Sequence, residues 1–465
     1  MAESTRGRVP RREAGADRLV VVVMPGNAGG AKRPGHPGVL AGQPREREEP
    51  AGAPKPFEIS KNLVWEAWKR VRSNGGSAGA DGVTIEQYEQ NLTGELYKLW
   101  NRMSSGSYMP APVLMVDIPK TSGGVRTLSI PTVADRIAQT AAKMVLEPCM
   151  EPVMHPDSYG YRPGRSALDA VGRCRERCWR SDWVIDLDIE SFFDSVDRNF
   201  LMKAVGHHTD SRWVLLYVQR WLNAPLISAD HGPATRAHGI PQGSPLSPLL
   251  ANIYLHYAFD AWMEREFPGV RFERYCDDAI VHCASERDAE NIRAAIADRL
   301  AGVGLRLNEA KTHIVYCKDS DRRGRFPLTR FDFLGYTFRP RLSRNRFGKT
   351  FVNFTPAVSD RAAKSMRREI RRWRLHSRSD KTLDDLARMF NIVIQGWINY
   401  YGRYYKSMLY PTFRHLNEIL VRWAMKKFKR LHRHERRARQ FLAGIGRRQP
   451  DLFAHGRFGV RPSAG

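Results

Sequence analysis

The sequence predicts an α+β chain, an antiparallel sheet backed by helices on one face and followed by a basic helical domain. Three observations carry this. Val184–Ile189 alternates apolar and acidic residues, as a strand with one polar face does. The expected strands Arg271–Tyr275 and Ala279–Cys283 flank Cys276-Asp277-Asp278, which reads as a tight hairpin. Residues 361–448 carry 24 Lys and Arg against 6 Asp and Glu, with apolar residues at helical spacing.

In chain order, residues 1–57 are rich in Gly, Pro, Ala, Arg and Glu and are expected to be disordered. Their apolar run Leu19–Met24 is too short for a signal peptide or an anchor. Leu63, Trp65, Ala67, Trp68 and Val71 predict a short helix. A Gly-rich loop, 75–82, precedes a helix over Ile85–Arg102. Strands and helices mix from Pro110 onward. Ser247–Glu264 and Asp288–Leu300 read as helices. Arg344–Lys349 reads as a basic link, and the composition shifts near Arg361. Ala363, Met366, Ile370 and Trp373 then mark one helix. Leu416, Ile419, Leu420 and Trp423 mark another, starting at Pro411. The domains expected are 1–57, 58–345, 346–455 and a tail, 456–465.

The acidic residues suggest chemistry. Asp186 and Asp188 share a strand face, and Asp277 and Asp278 sit at a hairpin bend. Either feature alone is common in solvated loops and strand edges. Together, with a Gly/Pro-rich loop at 239–248 between them, they suggest a site for two divalent cations and phosphoryl transfer.

The ordered motifs resemble the group II intron-encoded reverse transcriptase family. Asp188-Ile189-Glu190-Ser191-Phe192-Phe193-Asp194 is similar to its first catalytic block, and Tyr275-Cys276-Asp277-Asp278 to its second. The run Gly239-Ile240-Pro241-Gln242-Gly243-Ser244-Pro245, on to Leu255, resembles the template and nucleotide block. Ile118–Arg126, Ile130–Arg136, Ser158–Ser166, Gly304–Thr312 and Phe333–Tyr336 resemble further blocks in order. Gly396-Trp397-Ile398-Asn399-Tyr400-Tyr401-Gly402 resembles the maturase signature. Two departures stand out. Cys276 replaces the usual Ala, and Gly456 stands where relatives often have Trp. A Cys/His-rich nuclease module is not expected.

The resemblance implies right-hand polymerase fingers and palm over 58–345 and a helical thumb/maturase domain over 346–455. It implies Asp188, Asp277 and Asp278 as catalytic ligands of two Mg²⁺ ions, with Asp186 the competing candidate. Lys120 and Arg126 would clamp the triphosphate, and Gln242 and Gly243 would lie against nucleotide and template. Phe193 would exclude a ribose 2′-hydroxyl while Phe192 packs in the core. The implied partners are group II intron RNA, an RNA template, a DNA primer or target, and dNTPs; a homodimer is one admissible assembly. The implied activity is RNA-directed DNA polymerisation with maturase support of splicing and intron mobility. The alternatives are a domesticated defence enzyme and an RNA-binding splicing factor with little polymerase activity.

The formal net charge of +26 independently points to a polyanionic partner. Arg367, Arg368, Arg371 and Arg372 are the candidate RNA contacts. Trp373, Trp397, Tyr400, Tyr401, Tyr404 and Tyr405 interleave with the charge and read as core rather than as base-stacking platforms. The absence of a spanning apolar run argues against a membrane. The six scattered cysteines complete no zinc set and fit a reducing, cytoplasmic, bacterial setting.

Overall fold

The computed structural model describes residues 55–119, 124–228 and 238–464. Lys120 and residues 1–54 of the expected disordered segment lie outside them. Lys55 and Phe57 are packed: the Lys55 ammonium sits 3.4 Å from the Trp100 ring centroid, and the Phe57 amide donates to the Ser104 carbonyl.

Three sheets organise the described residues. β1 (Val113–Pro119) pairs with β2 (Val125–Ile130) antiparallel and with β4 (Leu226–Ser228) parallel. The central sheet contains β3 (Trp183–Leu187), β5 (Arg271–Tyr275), β6 (Asp278–Cys283) and β7 (His313–Tyr316) in the order β5-β6-β3-β7, antiparallel throughout. The third sheet joins β8 (Phe331–Phe333), β9 (Tyr336–Arg344) and β10 (Thr350–Val358).

The central sheet is covered on both faces, not one. Trp183, Ile185 and Leu187 of β3 enter the main core, where the helix Glu286–Ala301 packs on the sheet. Val184, Ile280 and Val315 face the other way, where the helix Ala167–Cys178 and the third sheet cover them. Apolar residues at alternate as well as intervening positions require this second cover.

The expected helices form with local differences. Ser60 caps Lys61–Asn74 through the Leu63 amide. The helix expected over Ile85–Arg102 is two, Ile85–Glu89 and Leu92–Ser104. The first carries a capping box between Thr84 and Gln87. Ser247–Glu264 is continuous but widens into a π turn at His256–Asp260.

Arg344–Lys349 is not an interdomain link. It is the turn of the β9–β10 hairpin, so strand pairing runs across the expected 345/346 boundary. The composition shift near Arg361 instead coincides with the helix Asp360–Arg372, capped by Ser359. From there a separate core forms around Met366, Ile370, Leu386, Phe413, Leu416, Leu420 and Trp423. Trp373 stacks on Phe390 and Trp397 within it, with ring centroids 4.4 and 5.6 Å apart. Val460 is buried in the same core, so the expected tail contributes to the helical domain. A Cβ at Gly456 would lie 2.5 Å from the Pro450 carbonyl, so a Trp there requires a different local path.

Candidate active site

The β3–β6 pairing brings the predicted carboxylates together. Asp186 pairs opposite Ile280, and Leu187 opposite Ala279. Period-two alternation therefore puts Asp186 and Asp188 on the face that Asp278 also shares. Tyr275 pairs with Asp278, leaving Cys276-Asp277 as a two-residue turn. Cys276 takes a φ of 59°, in the left-handed region. Its side chain is buried, which suits a small apolar residue at this position.

The charges interact. Burial first, then the charges of Asp277 and Asp188, push the Asp278 carboxyl up to about 7; Lys311 and Arg361 oppose this. Burial, then Asp278, Asp332 and Asp188, push Asp186 up to about 8. The Lys311 ammonium lies 3.0 Å from an Asp188 oxygen. Burial and mutual repulsion thus disfavour ionising these carboxylates without a compensating cation, and their donors are hard carboxylate oxygens. Both properties fit a divalent cation that prefers oxygen ligands.

Among the described residues, the trio whose ligand-type atoms all lie within 4.8 Å of one another is not drawn from the aspartates, which are more widely spaced, but is buried Cys174, Glu273 and His282, on the opposite side of β5 from Arg274. Glu273 is already engaged there, accepting from Arg177 at 2.6 Å and meeting His282 at 2.7 Å. Glu273 of β5 is thus tied to the helix Ala167–Cys178 by an ion pair with Arg177 and to β6 by a hydrogen bond with His282.

Among the described residues, the predicted nucleotide residues Arg126, Gln242 and Gly243 lie on or against β2. Arg126 lies on β2 near enough to Tyr161 for its charge to act on that hydroxyl, as Asp277 also does. The Ser129 amide donates to the Gln242 carbonyl at 2.6 Å. Gly243 has a φ of 115°, and a Cβ there would lie 2.7 Å from the Ser129 carbonyl. Phe192 is buried as expected, whereas Phe193 is only partly buried and meets it edge-on at 5.4 Å.

Of the predicted RNA contacts, Arg368, Arg371 and Arg372 are exposed and Arg367 is half-buried. Arg372 makes an exposed ion pair with Glu369 at 3.6 Å. Burial, then the charges of Arg371, Arg367 and Arg422, hold the His415 imidazole below its ordinary pKa. The basic face therefore extends across a second helix, Tyr410–Lys427.

Sequence reasoning gave no role to Lys311 or to Arg361, whose charge acts on Asp278 from the helical domain. The signal for Lys311 was its place in a matched block. Arg361 had none, because nothing local ties it to residues 83 positions upstream.

The chain is similar to known proteins. The family described as "Reverse transcriptase (RNA-dependent DNA polymerase)" matches residues 118–338, and "Group II intron, maturase-specific domain" matches 363–441. The protein YkfC of Escherichia coli is 33% identical over 59% of this chain and 78% of its own length. The group II intron-encoded protein LtrA of Lactococcus lactis is 31% identical, over 43% of this chain and 33% of its own. A putative COX1/OXI3 intron 1 protein of Saccharomyces cerevisiae is 25% identical, over 60% of this chain and 39% of its own. The chain thus spans about a third to two fifths of the length of the latter two.

Proposed function

This chain belongs to the group II intron reverse transcriptase/maturase family, and from that premise we propose that it copies RNA into DNA at the aspartate cluster. Reverse transcriptases are metal-dependent, and here the ions would be two Mg²⁺ held by Asp188, Asp277 and Asp278. Asp186 would stand behind them. The observation that carries this reading is the shared face of Asp186, Asp188 and Asp278 beside the Asp277 turn.

The central sheet serves as the palm. The β1–β2–β4 sheet and the N-terminal helices serve as fingers, and the helices after Ser359 as thumb. Bound metal supplies Lewis-acid stabilisation of the primer 3′-oxygen and the triphosphate. The chain's own groups position the reactants. Arg126, with Lys120, holds the triphosphate; a guanidinium offers a two-pronged contact and an ammonium a point charge. The loop at Gln242-Gly243 is tied to β2 through the Ser129 amide, which would hold it against the nucleotide. Lys311 and Arg361 balance charge at the carboxylates.

The test is extension of a DNA primer on an RNA template by the purified chain. Extension in Mg²⁺ that stops with EDTA supports the proposal, and no extension under any metal contradicts it.

Phe193 sets sugar choice in this reading. Phe193→Ala should raise ribonucleotide over deoxyribonucleotide incorporation by about tenfold or more, the size of a pocket discrimination. An unchanged ratio in single-nucleotide kinetics would leave Phe193 as packing alone.

The helical domain binds intron RNA as the maturase portion of the family does. We assign the contact to the face carrying Arg367, Arg368, Arg371 and Arg372. Each phosphate contact contributes about 0.7–0.9 to the slope of log affinity against log salt. Replacing all four with Gln should therefore flatten that slope by about 3. Parallel salt titrations of a folded variant and the parent would show that this face binds no RNA.

A further inference from the structure

β5 leads directly into the Cys276-Asp277 turn, and one side chain ties that turn to the helix beneath it. Arg274 is 1% exposed and fully engaged. Its Nε and Nη2 donate to the two oxygens of Asp260, each at 2.6 Å. Nη2 also donates to Ser158 Oγ at 2.8 Å. Nη1 donates to Asn252 Oδ1 at 3.1 Å and to the Cys276 carbonyl at 3.0 Å. The last bond grips the backbone of the turn itself.

The acceptor side is also specialised. Asp260 is completely buried and ends the π turn His256–Asp260. One extra residue in a helical turn rotates the downstream side chains about the axis and leaves carbonyls unpaired. Arg299 donates to two carbonyls of that turn, those of Tyr257 and Ala258, at 2.9 and 3.1 Å. Asn252, one helical segment earlier, also donates to the Gly160 carbonyl at 2.6 Å. A Cβ on Gly160 would lie 2.6 Å from the Cys276 amide, so Gly160 and the turn are in direct contact.

We propose that Arg274, oriented by Asp260 on the π turn, is a positioning residue that sets the height and angle of the Asp277-Asp278 turn above the sheet. It touches no reacting atom. A bidentate, fully buried guanidinium has one orientation, so the Cys276 carbonyl has one place to sit. The left-handed Cys276 backbone is then held from below by this bond and from the side by Gly160. Residues near a metal site that fix its ligands change affinity and rate without entering the coordination shell. The proposal rests on the reading of Asp277 and Asp278 as metal ligands.

Removing one charge of a buried pair leaves the other unpaired and threatens folding, whereas replacing both by apolar residues of similar volume is often tolerated. The test is therefore the double variant Arg274→Met with Asp260→Leu. It is compared with the parent in thermal midpoint, direct Mn²⁺ binding, and single-nucleotide kcat on RNA template. The expected result is a parent-like midpoint, weaker Mn²⁺ binding, and a kcat about 10²-fold lower, the effect of a displacement near 1 Å. Arg274→Lys keeps the charge beside Asp260 but cannot reproduce the five contacts, and it gives the same comparison if the double variant melts early. A folded variant of either kind with parental Mn²⁺ affinity and parental kcat overturns the proposal. Asp277→Asn is measured alongside. If it is inactive while the double variant behaves as the parent, positioning alone fails; if it stays active, the metal reading fails first.

Discussion

Asp277→Asn should lower RNA-templated extension by at least about 10³-fold, comparable to losing a principal stabiliser of transition-state charge. The substitution keeps size and shape but removes one negative charge from a cluster in which Asp277 already acts on Asp278. With that charge gone, the Asp278 carboxyl should ionise more readily, yet the site would offer one fewer anionic ligand. Turn geometry should survive, since Cys276 rather than Asp277 holds the left-handed backbone. RNA binding by the helical domain should be unchanged, because its core is separate from the central sheet. Extension near the parental rate in quenched-flow assays would remove Asp277 from the site.

Gly160→Ala should be nearly as damaging, for a steric reason. The new Cβ would lie 2.6 Å from the Cys276 amide nitrogen and 3.0 Å from the Tyr275 carbonyl carbon. Both atoms are backbone and have no rotamer to escape into. Either the turn or the 158–161 segment must move by several tenths of an ångström. Tyr161, next in sequence, already holds a φ of 58°, so this segment has little freedom. A shift approaching 1 Å at catalytic groups costs about 10²-fold in rate. The loss should appear in kcat, with primer–template affinity within about twofold of the parent, as expected when a transition-state geometry rather than uniform binding is lost. Weaker duplex binding with unaltered kcat would mean that Gly160 supports a nucleic-acid surface instead.

The sequence was most legible where local pattern and chemistry coincide. The Asp186–Asp188 alternation and the Cys276-Asp277 hairpin carried the strands and the pairing of β5 with β6, while the pairing of β3 with β6 is seen only in the structure. The amphipathic helices after Ser359 were readable from spacing alone. Long-range partners were not. Asp135 and Arg136 sit in a matched block, yet their side chains are structural. Asp135 accepts from Tyr108 and Thr132, and Arg136 donates to the Ser77 carbonyl at 2.7 Å. The Glu273 network joins residues about a hundred positions apart and leaves no periodic trace. The β9–β10 turn reads as a linker because Gly and basic residues suit either setting; only the nine-residue pairing of its flanking strands distinguishes them. The π turn at His256–Asp260 is equally silent in sequence, since its apolar pattern continues that of the helix before it.

The central claim is that Asp188, Asp277 and Asp278 together form one two-ion polymerising site. The direct measurement is the number of Mn²⁺ ions bound per chain in a complex with an RNA template, a chain-terminated DNA primer and the next dNTP, read by electron paramagnetic resonance. Two ions per parental chain, with fewer in Asp188→Asn, is the predicted result. No bound ions in the parent complex, or the same count in parent and variant, would contradict it.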